Sequence, residues 1–104
     1  EMGKPVGHGG PWKNAQVTAG TPSDPYLIGF YDQRSLKITH DSNEQITFKI
    51  EVDPIGHGPW MLYQTVTVNP GKSFHFRFPD HFQARWIRFT ANRNCIATAW
   101  LEYH

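Results

Sequence analysis

The chain has 104 residues and a mass of 12.0 kDa, below the roughly 150 residues typical of one domain, so a single module over residues 1–104 is expected and a second independent core is excluded. Hydrophobic residues at 38% and aromatics at 14% are too abundant for a disordered chain. Ten Lys plus Arg against nine Asp plus Glu leave a net charge of +1, which makes no field able to draw nucleic acid or an anionic membrane, so neither is an expected partner.

Eight prolines and nine glycines interrupt the chain too often for amphipathic helices of ordinary length, so strands must carry the fold. Asn14 to Thr18 is a short first strand, followed by Tyr26 to Tyr31 and Ser35 to His40. Gln45 to Val52 is the clearest, because Ile46, Phe48, Ile50 and Val52 alternate with Thr47, Lys49 and Glu51. Trp60 to Val68 is rich in β-branched and aromatic residues, and its Trp60-Met61-Leu62-Tyr63 run falls far short of the roughly 20 apolar residues that a membrane helix needs. Asn69-Pro70-Gly71-Lys72 then carries the type II turn recipe, with Pro presetting φ and Gly accepting positive φ, and predicts a hairpin to Ser73 to Phe78. In that strand Phe74, Phe76 and Phe78 share a face too aromatic to leave in water. Ala84 to Ala91 and Cys95 to Tyr103 predict a second hairpin, closed by Asn92-Arg93-Asn94. The sum is about seven or eight short strands, an all-β antiparallel sandwich of jelly-roll or immunoglobulin-like type.

Two segments echo each other: Gly7-His8-Gly9-Gly10-Pro11-Trp12 and Gly56-His57-Gly58-Pro59-Trp60. Either each Trp covers the rim of the core beside a Gly/Pro turn, or two loops each present an aromatic and an imidazole to a ligand. In Ala84-Arg85-Trp86-Ile87-Arg88-Phe89, alternation sets Trp86 and Arg88 opposite Ile87 and Phe89. With Ile87 and Phe89 in the core, Trp86 and Arg88 form a flat apolar plate beside a fork of donors, suited to a sugar ring. The alternative puts Trp86 under a loop and pairs Arg88 with a carboxylate. The last strand carries large groups on both faces, which argues for a central position and for Cys95 as an inert core thiol.

Catalytic signatures are missing: there is no nucleophile elbow, no metal-ligand spacing and no phosphate loop, and Gly7-His8-Gly9-Gly10 reads as a turn. No cofactor and no enzymatic activity are expected. Six histidines lack the spacing of a zinc site and read as surface or turn residues, while a structural calcium in a loop such as Thr39 to Glu44 stays open. With one cysteine there is no internal disulfide, and a chain opening on Glu1-Met2 reads as a module cut from a longer or processed protein.

Gly9-Gly10-Pro11-Trp12, Pro22-Ser23-Asp24-Pro25-Tyr26-Leu27, Thr39-His40-Asp41-Ser42, Phe78-Pro79-Asp80, Trp86-Ile87-Arg88 and Cys95-Ile96-Ala97-Thr98-Ala99 span nearly the whole chain. Together they resemble a C-terminal β-sandwich module appended to exported bacterial polysaccharide-processing proteins. The resemblance implies an accessory domain, secreted, periplasmic or at the cell surface, covalently linked to a catalytic domain. Such a domain either binds carbohydrate or braces its neighbour, and the resemblance implies no binding residues. The residues themselves nominate Trp12, His57, Trp60, Tyr63, Trp86 and Arg88 as carbohydrate contacts, the aromatics by stacking and the Arg and His by orienting polar groups.

Overall fold

A computed structural model of the chain describes residues 7–28, 34–56, 58–79 and 84–103. They form β1 (Gly7–Val17), β2 (Tyr26–Leu27), β3 (Arg34–His40), β4 (Ile46–Asp53), β5 (Met61–Val68), β6 (Phe74–Arg77), β7 (Trp86–Ala91) and β8 (Cys95–Tyr103). Two antiparallel four-stranded sheets, ordered β1-β8-β3-β6 and β2-β7-β4-β5, make the expected β-sandwich. Among the described strands, only β4 and β5 are consecutive neighbours within one sheet. Every other connection crosses to the opposite sheet, which is the connectivity of a jelly roll rather than of an immunoglobulin domain.

Period-two patterning decides which face is buried. On β4, Ile46, Phe48, Ile50 and Val52 point inward and meet Ile87, Phe89 and Ala91 of β7 in the core. Each such burial is worth ~1.5–3 kcal/mol for a large side chain, more than the ~1 kcal/mol span of strand propensity, so the apolar stripe sets the register. β8 is central, between β1 and β3, and buries Ala97, Ala99 and Leu101 while Trp100 and Glu102 lie on its outer side. Cys95 lies half-buried at the start of β8, and burial, reinforced by the Asp41 charge, pushes its thiol pKa up.

Both predicted hairpins are corrected. The turn after β5 forms as expected, with Gly71 at φ 73° and Lys72 N–H donating to the Asn69 carbonyl at 3.1 Å. Yet β5 pairs with β4 and β6 with β3, so the turn carries the chain from one sheet to the other. The 92–94 segment does the same between β7 and β8. Its asparagines tie neighbouring elements together: Thr47 N–H donates to Asn92 Oδ1 at 2.9 Å and Ala19 N–H to Asn94 Oδ1 at 2.8 Å.

The glycine-rich start is also corrected, from turn to strand. β1 runs from Gly7 beside β8, with register shifts between Gly9 and Trp12 and again before Ala15. Gly10 is there because a Cβ would collide with the Ala99 carbonyl oxygen of the adjacent strand, a backbone approach that only glycine permits. At the second irregularity Asn14 takes φ 48°, and its N–H donates to Thr98 Oγ1 at 3.0 Å. For the predicted strand Tyr26 to Tyr31, Tyr26–Leu27 are strand, and residues 29–31 lie outside the described residues.

Candidate functional site: a tryptophan cleft on the outer face of the second sheet

Beyond the core, the outward positions of β7 and β4 pair across the ladder: Trp86 opposite Asp53 and Arg88 opposite Glu51. Asp53 is a carboxylate only 3% exposed, and the chain after it folds back over it. Its Oδ1 accepts N–H donors from Ile55 at 3.1 Å and Gly56 at 2.9 Å, and its Oδ2 accepts the Gly58 N–H at 2.6 Å. Charge-assisted bonds of this kind are about twice as strong as neutral ones, so one side chain dictates the loop's path. Gly56 and Gly58 hold φ of 99° and 75°, and the Arg85 side chain lies against Gly56.

The loop delivers Trp60 to the same face as Trp86. Trp60, Trp86, Pro25, Gly56, Gly58 and the edge of Asp53 line an open cleft of about 610 Å³. Arg88 stands beside it with its guanidinium carbon 4.4 Å from the Trp60 ring centroid and its Nε donating to Glu51 Oε1 at 2.9 Å. Arg88 thus holds Trp60 in place from one side, a cation–π contact, while Glu51 fixes the guanidinium. The carboxylate-paired arrangement of Arg88 is the one formed, through its Nε.

The other nominated residues fall elsewhere. Trp12 is 7% exposed, with ring centroids 6.2 Å from Phe48 and 6.0 Å from Phe89, so it is a core residue and not a stacking platform. The bulged start of β1 turns it inward between the sheets. Tyr63 turns inward too, its ring centroid 6.0 Å from that of Phe76 and 5.7 Å from that of Phe78, and burial raises its phenol pKa. The register shift opposite Ile50 and Glu51 of β4 puts it there. His57 lies outside the described residues. The two echoed segments therefore fold differently: the first is a strand feeding the core, whereas Gly56, Gly58 and Trp60 of the second line a cleft on the outer face.

Glu51 and Asp53 had no role in the sequence expectation. The signal that would have found Asp53 is local: an acidic residue closing a strand, with glycine three residues on, is the pattern of a side chain capping its own turn. In the Thr39 to Glu44 loop, Asp41 Oδ1 accepts the Ile96 N–H at 2.9 Å, and His40 bridges the Val68 carbonyl and the Ser42 N–H. Among the described residues no three His, Cys, Asp or Glu side chains converge as a metal site would require. No family model and no curated protein matches the chain.

Proposed function

We propose that this domain is a non-catalytic carbohydrate-binding module of an exported polysaccharide-processing protein, and that it engages sugar through Trp60 and Trp86. The observation that carries this reading is the convergence of two half-buried indoles, from a loop and from β7, on one open cleft. Indole faces beside an open, partly polar surface suit the apolar faces of sugar rings, and Asp53 and Arg88 make the arrangement rigid before ligand arrives. Titration of intrinsic Trp fluorescence with a panel of soluble oligo- and polysaccharides tests it. A saturable change with one glycan class is expected, weakened at least about tenfold in Trp86→Ala and Trp60→Ala with circular dichroism unchanged. A flat response across the panel from folded protein overturns it.

A second reading is favoured by a separate observation. Ile55, Met61 and Leu62, close to Trp60 in the chain, are 57%, 55% and 59% exposed, large apolar side chains of the kind that would brace a neighbouring catalytic domain. Concentration-dependent self-association of the isolated domain, abolished by Leu62→Glu, together with no sugar response, favours bracing over binding.

A further inference from the structure

The opposite sheet carries an aromatic face that the Trp60 and Trp86 cleft does not use. On the outer side of β8, β3 and β6, Trp100 lies beside Lys37 and Lys37 beside His75, while Glu102 lies beside Ser35 and Ser35 beside Arg77. These two rows line a cleft of about 640 Å³, within the size range of small-molecule sites. At the strand spacing of a sheet, Trp100 and His75 stand about 10 Å apart, a width that takes one sugar ring and its substituents. On its β1 side the Trp100 ring is braced by His8, at 5.8 Å between centroids, and by Lys13 Nζ at 5.4 Å. The indole therefore stands as a wall with the His8 ring and the Lys13 ammonium behind it and Lys37 before it.

We infer that this face binds an acidic oligosaccharide, with a sugar ring against Trp100 and its carboxylate or sulfate on Lys37. The ligand class follows the carbohydrate reading above, but the residues are independent of it. The chain as a whole is almost neutral, so Lys13 over the Trp100 ring and Lys37 beside it are a local feature and not general basicity. Glu102 and Ser35 discriminate further. Strand-like nucleic acid binding needs successive stacking platforms, where among the described residues this cleft offers one indole. Sugar hydroxyls, by contrast, donate to a carboxylate and to a serine oxygen.

The test is calorimetric titration of the whole domain with an oligogalacturonate, a sulfated oligosaccharide, a neutral glucan of matched length and a single-stranded oligonucleotide. Saturable binding of the oligogalacturonate or the sulfated chain is expected, tighter than the glucan and weakening as NaCl is raised; which of the two binds names the anionic group. Lys37→Gln, an exposed outward position chosen to spare the fold, should weaken it at least about tenfold, and Trp100→Ala likewise. Trp86→Ala should leave it within about twofold. The inference is overturned if neither acidic chain binds, if the oligonucleotide or glucan binds as tightly, or if Trp86→Ala abolishes acidic binding while Lys37→Gln does not. That last result leaves the Trp60 and Trp86 cleft standing as the single glycan site, whereas neutral binding insensitive to Trp86→Ala refutes the cleft and not this face.

Discussion

Replacing Asp53 with alanine withdraws the acceptor from the N–H groups of Ile55, Gly56 and Gly58 together. Hydrogen bonds to an ionised group are worth ~1.5–3 kcal/mol each, so rigid loss of all three would cost about 5–9 kcal/mol. The loop lies at the surface, however, and can open so that the orphaned N–H groups reach water. The expected cost is therefore capped by local opening, at about 2–4 kcal/mol. A domain of this size loses about 4–8 °C in Tm per kcal/mol, so the midpoint should fall by at least about 8 °C. Asp53→Asn keeps one acceptor oxygen but turns an NH2 toward the N–H donors, and should fall between wild type and alanine. Urea unfolding gives the global value, and amide exchange at Ile55, Gly56 and Gly58 gives the local one, with protection lost first at these three. Glycan response should fall along with loop protection, since Trp60 loses its placement. Wild-type stability and unchanged exchange in Asp53→Ala would refute the claim that this carboxylate organises the loop.

Trp12→Ala should cost about 3–5 kcal/mol because it opens a cavity between Phe48 and Phe89, whereas Trp86→Ala, from the outer face, should cost about 1 kcal/mol or less; paired denaturation curves check both. Gly10→Ala drives a methyl into the Ala99 carbonyl and should destabilise by about 2 kcal/mol, lifting exchange protection first along the β1 and β8 pairing. The Cys95 thiol, its pKa raised by burial and by Asp41, carries less thiolate at any given pH, so iodoacetamide should modify it at pH 8 more slowly in folded than in urea-unfolded protein. Equal rates would mean that the thiol is reached without unfolding.

The stripes of β4 and β6 were legible in the sequence because alternation is a one-dimensional signal, and burial obeys it at Phe48, Ile50 and Phe78; β7 offered two faces and β8 carried large groups on both, so their inward sides emerge only from the packing of Ile87, Phe89 and Leu101. The turn at Asn69 to Lys72 was legible for the same reason, since Pro70 and Gly71 fix dihedral angles locally. What the turn leads to was not. A chain reversal can lay the next strand beside the last or lift it onto the facing sheet, and the choice rests on long-range packing. Here Phe76 and Phe78 pack against Tyr63 from the opposite sheet, which makes the crossing favourable. The strand identity of Gly7–Gly10 was hidden because glycine normally weakens strands. Its use for close approach to Ala99 is visible only once β8 lies alongside.

The four tryptophans show why residue type alone does not locate a site. Trp12 and Trp60 end nearly the same Gly/Pro phrase, yet irregular pairing with β8 turns the first into the core, while the Asp53-capped loop carries the second over the outer face. Trp86 and Trp100 both lie outward on strands by simple alternation, one on each sheet, so the sandwich presents an indole on both of its broad faces. Their surroundings separate them. Trp86 shares its cleft with Trp60, Pro25 and glycines and has its nearby charges, Asp53, Glu51 and Arg88, already consumed within the fold. Trp100 stands among Lys13, Lys37, His8 and His75, and Glu102 is the acidic residue among the described ones that line its cleft. An apolar platform with satisfied charges selects by shape, and one flanked by Lys13 and Lys37 selects by charge. On that ground the two faces should rank neutral and acidic glycans in opposite order, the contrast that Trp86→Ala and Lys37→Gln are chosen to expose.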